Sequence, residues 1–379
     1  MNRVRRLTAS VEACGLLLTM TIACSVAVYS QNPNRPAPIT LGTTVPANGD
    51  QNPYGVALVP RTVGKLVQGR FLVSNFNNAG SAPNGNLQGT GTTIVQMAPN
   101  GSQKLFAQIA PSTCKETGGV GLTTALVALQ SGFVVVGSLP TTDGTAATIR
   151  SGCLIILDSN GNVVGTVPGN TNSINGPWDM TAVEDEDHFV LFVTNVLNGL
   201  DLVSPPPSPT VDKGTVVRLL FEVPENGGAP QLQDSLVIAS GFPERTDPAA
   251  LVIGPTGVAY DPGTGNLFVA DSLENRIAAI PNALTRNQDA GTGVTVSAGG
   301  ALNDPLGVSL TGHFLFVANG DDGNIVEVDV NKGRQVNVSL ADSSGGPPPG
   351  AGALFGLWAL NTGQVYFVDD ATNTFNLLH

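Results

Sequence analysis

The most informative pattern in the chain is a set of short apolar runs that do not alternate with polar residues. Phe133–Val136, Phe189–Val193 and Phe314–Val317 are each continuously apolar. A β-strand needs this composition only when both of its faces are buried. Between the runs, no segment of about 10–15 residues has the apolar periodicity of a helix. Glycine or proline interrupts nearly every candidate helix. The pattern therefore predicts an all-β protein whose sheets pack face to face.

The same unit of strand, tight turn and strand recurs six times along the chain. Its best-defined copy begins at Pro255, and a Pro-x-Gly or x-x-Gly motif precedes most of the other copies. A period of roughly 50 residues with four short strands per copy is typical of a β-propeller, here with six blades. Each second strand ends in a small polar or acidic residue, which we predict to occupy one equivalent position: Asn75, Ser138, Asn195, Asp271, Asn319 and Asp370.

The last copy is one strand short. It ends at His379 with its third strand, whereas the segment Ile39–Val45 is a strand candidate that belongs to no copy. We therefore predict that this N-terminal strand joins the last blade, which closes the ring and removes an exposed sheet edge. The copies cover about 53–109, 115–168, 174–241, 255–296, 302–340 and 353–379, the last together with the N-terminal strand.

The connections between second and third strands differ between the two halves of the chain. They are long in the first three copies, at Phe76–Gly91, Leu139–Ser151 and Val196–Lys213, and short in the last three. All of them emerge on one face of a propeller, so that face is predicted to be raised on one side and low on the other. Long surface loops often carry function, although neutral insertion at tolerated positions is the alternative.

The N-terminus has the pattern of a secretory signal peptide, with basic Arg3, Arg5 and Arg6 before apolar Ala13–Val28. We assign residues 1–30 to the signal and 31–379 to the propeller, and expect an extracytoplasmic location, periplasmic or secreted. A membrane anchor is one alternative, but 16 apolar residues fall short of the about 20 that span a bilayer. A lipoprotein modified at Cys24 is the other.

The amino-acid composition limits the kinds of partner that the protein is expected to bind. With 46 glycines and 27 prolines in 379 residues, the chain is turn-rich without being disordered. The formal net charge of −12 keeps a protein soluble and repels a nucleic-acid backbone. We therefore expect a monomer with no nucleic-acid partner and no membrane span, whose partner is an unknown small molecule or a protein.

Two cysteines, Cys114 and Cys153, are left once the signal is removed. They lack the clustered spacing of a zinc site, and an exported chain favours a disulfide. Cys114 precedes the first strand of the second copy and Cys153 opens its third strand. In a propeller both positions lie at the same end of the blade. Two unpaired thiols are the alternative.

Two groups of residues are candidates for binding at the channel mouth. The repeated polar residues could form a ring that binds a cation such as Ca²⁺ or a polar ligand, or could cap turns through their own backbone. Three aromatic residues at the blade starts could form a platform for a ligand, or could fill the core around the channel. The candidate residues are Tyr54, Asn75, Trp178, Asp179, Asn195, Asp271, Asn319, Phe355 and Asp370.

The segment Val269–Ser272, followed by Asn275–Ile277, resembles the NHL repeat with its Val-Ala-Asp and Asn-x-Arg-Ile core. The motif Pro255-x-Gly257 belongs to the same pattern, and the resemblance extends over about 53–379. It implies a six-bladed propeller of a kind that mostly serves as a binding scaffold, with a few enzymes among its relatives.

The neighbouring gluconolactonase-like (regucalcin-like) propellers hold a divalent metal in the channel mouth through Asn, Asp and Glu side chains. The equivalent positions here carry Tyr54, Thr256, Leu306 and Phe355, with Asp179 in the third copy. Only Asp179 could bind a hard cation, which needs several oxygen ligands. The sequence thus predicts no metal-ligand set and assigns no catalytic residue.

Together these observations favour an exported propeller that acts as a ligand-binding or protein-interaction module. The alternative is a metal-dependent, lactonase-like hydrolase or lyase with its site at the channel mouth. The architecture hosts both kinds of protein, so the fold does not choose between them.

Overall fold

The computed structural model describes residues 36–79, 86–225, 227–248, 250–344 and 346–379. In this part of the chain 25 β-strands and two short 3-10 helices, Lys115–Thr117 and Ala146–Thr148, form the regular structure. The strands make six antiparallel sheets whose innermost strands contact one another in a closed cycle. The predicted six-bladed β-propeller is therefore confirmed. The predicted signal at residues 1–30 and the cysteine at position 24 lie outside the described residues.

The blades follow chain order, and their strands run from the axis outwards. Blade 1 holds β2 to β5, at Gln51–Leu58, Phe71–Asn77, Thr93–Met97 and Gln103–Gln108. Blade 2 holds β6 to β9, at Leu122–Ala128, Val134–Ser138, Cys153–Leu157 and Val163–Pro168. Blade 3 holds β10 to β14, at Gly176–Glu184, His188–Val196, Val211–Glu222, Gln231–Asp247 and Leu251–Ile253.

The remaining three blades are four-stranded. Blade 4 holds β15 to β18, at Pro255–Tyr260, Leu267–Asp271, Arg276–Ile280 and Val294–Ala298. Blade 5 holds β19 to β22, at Pro305–Thr311, Phe314–Asn319, Asn324–Asp329 and Arg334–Leu340. Blade 6 holds β23 to β25, at Leu354–Ala359, Val365–Asp369 and Thr374–Leu378, with β1, Ile39–Thr43, outside β25.

The N-terminal strand closes the ring as predicted. β1 pairs antiparallel with β25, and Ile39 lies opposite Leu377. The hydroxyl of Thr43 donates a hydrogen bond to the Asn373 carbonyl, 330 residues further along the chain. Without β1, strand β25 would expose an unpaired edge.

The continuous apolar runs are explained by burial on both faces. Every residue of β3, β7, β16 and β24 is buried. Six hydrophobic clusters fill the described part of the core. Five occupy gaps between neighbouring blades, and the sixth fills the axis and the gap between blades 6 and 1. The blades therefore cover one another's faces, and no helix is needed for this purpose.

The Pro-x-Gly motif exists because innermost strands meet backbone to backbone at the axis. A Cβ on Gly257 would lie 2.1 Å from the carbonyl oxygen of Leu306, and one on Gly307 would lie 2.2 Å from that of Phe355. Real Cβ atoms do not approach so closely, so these positions require glycine. Blade 3 departs from the motif, because its third position is Asp179.

We call the face on which the innermost strands begin the upper face. The connections between second and third strands emerge there, and they are long in blades 1–3 (78–92, 139–152 and 197–210) and short in blades 4–6 (272–275, 320–323 and 370–373). The predicted difference in loop length is confirmed, with the low side of the face at blades 4–6.

Blade 3 differs from the prediction, which ended its fourth strand near residue 241. β13 continues to Asp247, and the chain then turns back as β14, with Arg245 opposite Ile253. The polar residues at the end of β13 stay in the strand because β14 and the neighbouring loop supply their hydrogen bonds. For example, the amide of Ser208 donates to the hydroxyl of Thr246 at 2.7 Å. We call β14 and the end of β13 that pairs with it the blade 3 hairpin.

The predicted disulfide is confirmed. Cys114 and Cys153 are bonded, with their Cα atoms 6.3 Å apart. The bond ties the connection that enters blade 2 to the start of its third strand. Across the described residues, no helix has the length and apolar character needed to cross a membrane.

Candidate functional site

The repeated polar residues brace the connections between blades. The Asn195 carboxamide oxygen accepts hydrogen bonds from the amides of Asn175 and Gly176, at 2.7 and 3.0 Å. The Asn319 carboxamide donates to the carbonyl of Ala301 at 2.7 Å. A similar bond joins the Asn75 carboxamide to the Thr44 carbonyl, whereas the Asp271 carboxylate pairs with the Arg276 guanidinium within blade 4. All four repeated residues are fully buried. These contacts are those of a scaffold.

Blade 6 does not place Asp370 at this equivalent position. Asp369 lies opposite Leu354, just as Asp271 lies opposite Pro255 in blade 4. Asp369 is therefore the repeated polar residue, and Asp370 is one position further along the chain. The prediction chose the wrong member of this Asp-Asp pair as the equivalent residue.

The position after the repeated polar residue divides the ring into two halves. In blades 1–3 it is large and apolar, and all three side chains pack into the cluster at the axis: Phe76, Leu139 and Val196. In blades 4–6 it is small or polar, and all three residues line an open cavity: Ser272, Gly320 and Asp370. This asymmetry creates space on the low side of the upper face.

The aromatic candidates form a plug in the axial channel. Tyr54 stacks between Phe76 and Phe355, with ring centroids 4.6 and 3.8 Å away. Trp178 lies 6.4 Å beyond Phe355, and its indole N–H donates to the Val252 carbonyl in β14. Tyr54, Trp178 and Phe355 are each at most 6% exposed. They fill the core, and Phe355 alone of the three also borders the cavity.

The upper cavity has a volume of about 660 Å³. The blade 3 hairpin, the connection at 346–352 and the upper ends of blades 4–6 enclose it. One wall is apolar and contains Ile253, Leu306 and Phe355. The remainder carries one guanidinium and four carboxyl groups: Arg245, Asp247, Asp304, Asp321 and Asp370.

The charges in the cavity are not balanced. Arg245 forms an ion pair with Asp247 at 3.5 Å. Asp304, Asp321 and Asp370 belong to none of the ion pairs within the described ranges. Three carboxyl groups therefore share the cavity without a paired cation.

Burial and nearby negative charges raise the pKa values of these groups. Burial, followed by the carboxylates of Asp321 and Asp247, raises the pKa of Asp304 to about 8. Burial raises the pKa of Asp370 to about 7, against a hydrogen bond from the Asn52 side chain. The pKa of Asp321 is also raised, by partial burial and then by Asp247 and Asp322.

Two neighbouring residues, Asn275 and Gly320, help to position Asp304. The amide of Asp304 donates to the Asn275 side-chain oxygen at 2.6 Å. Gly320 leaves room for the carboxyl, because a Cβ there would lie 2.4 Å from Asp304 Oδ2. Asp370 Oδ1 is buried and has no hydrogen-bond partner in the described structure.

Asp179 lies in a different place, on the lower side of the aromatic plug. It lines an axial cavity of about 280 Å³ whose walls are otherwise mostly apolar. Its carboxyl oxygens accept from the amides of Met180 and Val258, at 2.8 and 3.2 Å. Burial raises its pKa to about 7. Asp179 thus bridges blades 3 and 4 at a position where blades 1, 4, 5 and 6 have glycine, and it does not join the other candidates.

The possible metal ligands among the described residues do not form a cluster. Within the ranges that the structure covers, no three His, Cys, Asp or Glu side chains lie close enough together to hold a metal ion. Thr256, which the sequence comparison with lactonase-like propellers singled out, is fully buried and donates its hydroxyl to the Pro305 carbonyl at 2.8 Å.

Sequence reasoning missed most of the cavity. Arg245, Asp247, Asp304 and Asp321 were not among the candidates, and only Phe355 and Asp370 were. The usable signal was the change from large apolar to small or polar residues at one position of the repeat. It separates blades 1–3 from blades 4–6 and can be read from the sequence.

Comparisons with known proteins return structures but no family. No protein-family model matches the chain, and no protein with a curated description matches its sequence. A nidogen–laminin complex aligns with a TM-score of 0.44 and 11% identity, over 76% of this chain and 80% of the other. A streptogramin B lyase aligns with a TM-score of 0.48 and 12% identity, over 89% and 96%. A protein provisionally described as a gluconolactonase aligns with a TM-score of 0.48 and 12% identity, over 92% and 93%.

The chain is thus defined as a six-bladed β-propeller with a plugged axis and an acidic cavity on the low side of its upper face. The architecture predicted from the NHL resemblance is the one observed. Membership of the NHL family stays a prediction.

Proposed function

We propose that the protein is an exported binding module that takes its ligand into the upper cavity. The observation that carries this proposal is the asymmetry of the ring, in which three blades fill the axis and three leave a walled space. A purely structural repeat does not require three of its six blades to differ from the others, whereas a binding site does. The disulfide supports export, because such bonds persist in oxidising compartments.

The cavity has the features of a ligand site. It is concave, has an apolar wall and holds a few convergent polar groups with raised pKa values, which is the usual composition of such sites. The blade 3 hairpin and the connection at 346–352 form part of its walls. These walls favour a small molecule, or a short segment of a partner protein, over a flat interface.

Filling the cavity tests the proposal. Ala351 lines the cavity and is partly exposed, so Ala351→Trp should block the site without disturbing the core. Thr362→Trp is the control, since Thr362 is exposed in a turn on the lower face. A thermal-shift screen of small molecules on the wild-type protein supplies probes, because a bound ligand raises apparent stability by mass action.

We expect the probes that stabilise the wild type to lose at least ten-fold in affinity for Ala351→Trp and to keep their affinity for Thr362→Trp. Equal affinity for all three proteins would place the binding elsewhere and contradict the proposal.

A second candidate function is a hydrolase or lyase of the lactonase-like kind. It is favoured by Asp304 and Asp321, two carboxyl groups that line the same cavity and whose pKa values are both raised, that of Asp304 to about 8. Paired carboxyl groups with shifted pKa values are a common acid–base arrangement. The test is a lactone-hydrolysis assay with and without added Ca²⁺ or Zn²⁺, together with elemental analysis of the purified protein. Turnover that Asp304→Asn abolishes would favour this function over binding alone.

A further inference from the structure

We propose that the ligand of the upper cavity is a small organic cation, with an ammonium or guanidinium group on an apolar body. This inference deepens the proposed function and rests on it. The cation would lie among Asp304, Asp321 and Asp370, with its apolar body against Phe355, Leu306 and Ile253.

The first argument is the missing positive charge. Arg245 is held by Asp247, so the other three carboxyl groups have no counter-ion in the described structure when they ionise. A low-dielectric cavity whose ionised groups carry one sign of charge favours ligands of the opposite sign. An ammonium or guanidinium group supplies the charge that the cavity lacks.

The second argument is an unfilled acceptor. Asp370 lines the cavity, and its Oδ1 atom is buried without a hydrogen-bond partner in the described structure. A buried acceptor left unsatisfied costs free energy, so such an atom calls for a donor. Ammonium and guanidinium groups carry only donors, which matches this need.

The third argument is the apolar wall, which separates an organic cation from a metal ion. Phe355, Leu306 and Ile253 face the same space as the carboxyl groups. A hydrated metal ion gains nothing from such a wall, and the carboxyl groups are not gathered as a metal-ligand set. A hydrocarbon chain gains by burial, and a cation near the Phe355 ring gains by a cation–π contact.

Binding of a cation should release protons. Asp304 is within electrostatic range of Asp321, Asp247 and Arg245, and Asp321 is also within range of Asp322. Asp370 is within range of Asp369 and Tyr54. In the free protein the like charges and burial hold protons on Asp304 and Asp370. A bound cation reverses the sign of the local field, lowers both pKa values and so displaces protons.

The test is calorimetric titration of the full chain with hexylammonium chloride, alongside hexan-1-ol and hexanoate, which share its chain but not its charge. We expect hexylammonium to bind at least ten-fold more tightly than hexan-1-ol, and hexanoate not to bind. Its affinity should fall at least ten-fold from pH 8.5 to pH 5.5. At pH 7.5 the apparent enthalpy should vary with the ionisation enthalpy of the buffer, which reports proton release.

Variants locate the effect. Asp304→Asn and Asp370→Asn should each lower hexylammonium affinity at least ten-fold and reduce proton release. Gly320→Ala should also weaken binding, since its Cβ would displace the Asp304 carboxyl. Asp234→Asn is the matched control, because Asp234 is exposed in blade 3 away from the cavity, and it should bind as the wild type does. Melting temperatures of all variants verify that they fold.

Two results would overturn the inference. One is binding of hexan-1-ol as tight as that of hexylammonium. The other is equal hexylammonium binding by the wild type and all three Asn variants, which would show only general attraction to an acidic surface. If neutral probes bind the wild type but not Ala351→Trp, the proposed function holds even when the cation inference fails. The failure of the inference is therefore distinguishable from the failure of the proposed function.

Discussion

At the scale of single residues, two adjacent positions in each blade have different tasks. The first, occupied by Asn75, Asn195 or Asn319, holds the connection between blades. The second either plugs the axis or opens the cavity. The sequence predicts the first position because it repeats. It could not separate Asp369 from Asp370, because both are aspartates and a slip of one residue sends a side chain to the opposite face.

Asp179 should make folding stability depend on pH. Its pKa is raised to about 7 in the folded protein, above the ordinary value of 3.8. The folded state therefore holds a proton that the unfolded state loses, so Asp179 makes stability fall as pH rises from about 4 to about 7. Each pKa unit is worth about 1.4 kcal/mol, so the effect is on the order of a few kcal/mol.

Denaturant unfolding of Asp179→Asn across this pH range checks the prediction. We expect the variant to show a flatter profile than the wild type and Asp234→Asn to leave the profile unchanged. If the free energy of unfolding of Asp179→Asn depends on pH as steeply as that of the wild type, the proton belongs to another group.

At the scale of elements, the strands and their order follow from the sequence, but the blade 3 hairpin does not. Leu251–Ile253 is only three residues long, and the end of β13 is polar, so neither carries a strand pattern. Their pairing depends on contacts from distant segments, such as the Trp178 indole bond to Val252. The cavity was missed for the same reason, since this hairpin forms one of its walls.

Close approach of innermost strands gives a prediction for blade packing. Gly307→Ala should lower the free energy of unfolding by about 1–3 kcal/mol, because its Cβ would overlap the Phe355 carbonyl and force blades 5 and 6 apart. Gly165→Ala is the control, since its Cβ would meet nothing nearer than Ile156 Cδ1 at 3.6 Å. Chemical denaturation compares the two, and equal losses would contradict the explanation of the motif.

At the scale of the whole molecule, the sequence predicted the number of blades, the closure and the low side of the upper face. Unequal loop lengths carried that last prediction, because loops of one kind all emerge on one face. The sequence did not predict which residues line the cavity. Asp304 and Asp321 lie in short connections, and their meeting with Asp247 depends on the packing of three blades.

The disulfide should contribute to global stability. Cys114 and Cys153 are 39 residues apart, and closing a loop of that length is worth about 4 kcal/mol on the chain-entropy model. Guanidinium unfolding with and without reductant should therefore show a lower midpoint for the reduced protein. The double variant Cys114→Ser/Cys153→Ser should unfold at that lower midpoint and be insensitive to reductant. Identical midpoints for oxidised and reduced wild type would contradict this.

The pairing of β1 with β25 has a consequence for the order of events during biosynthesis. β1 leaves the ribosome before any blade has been made, yet its partner strand β25 is translated after the other five blades. Those five blades can assemble while the chain is still growing, but the sixth must wait until β25 has been made. A nascent chain that lacks β25 would therefore be an open arc with two adhesive ends.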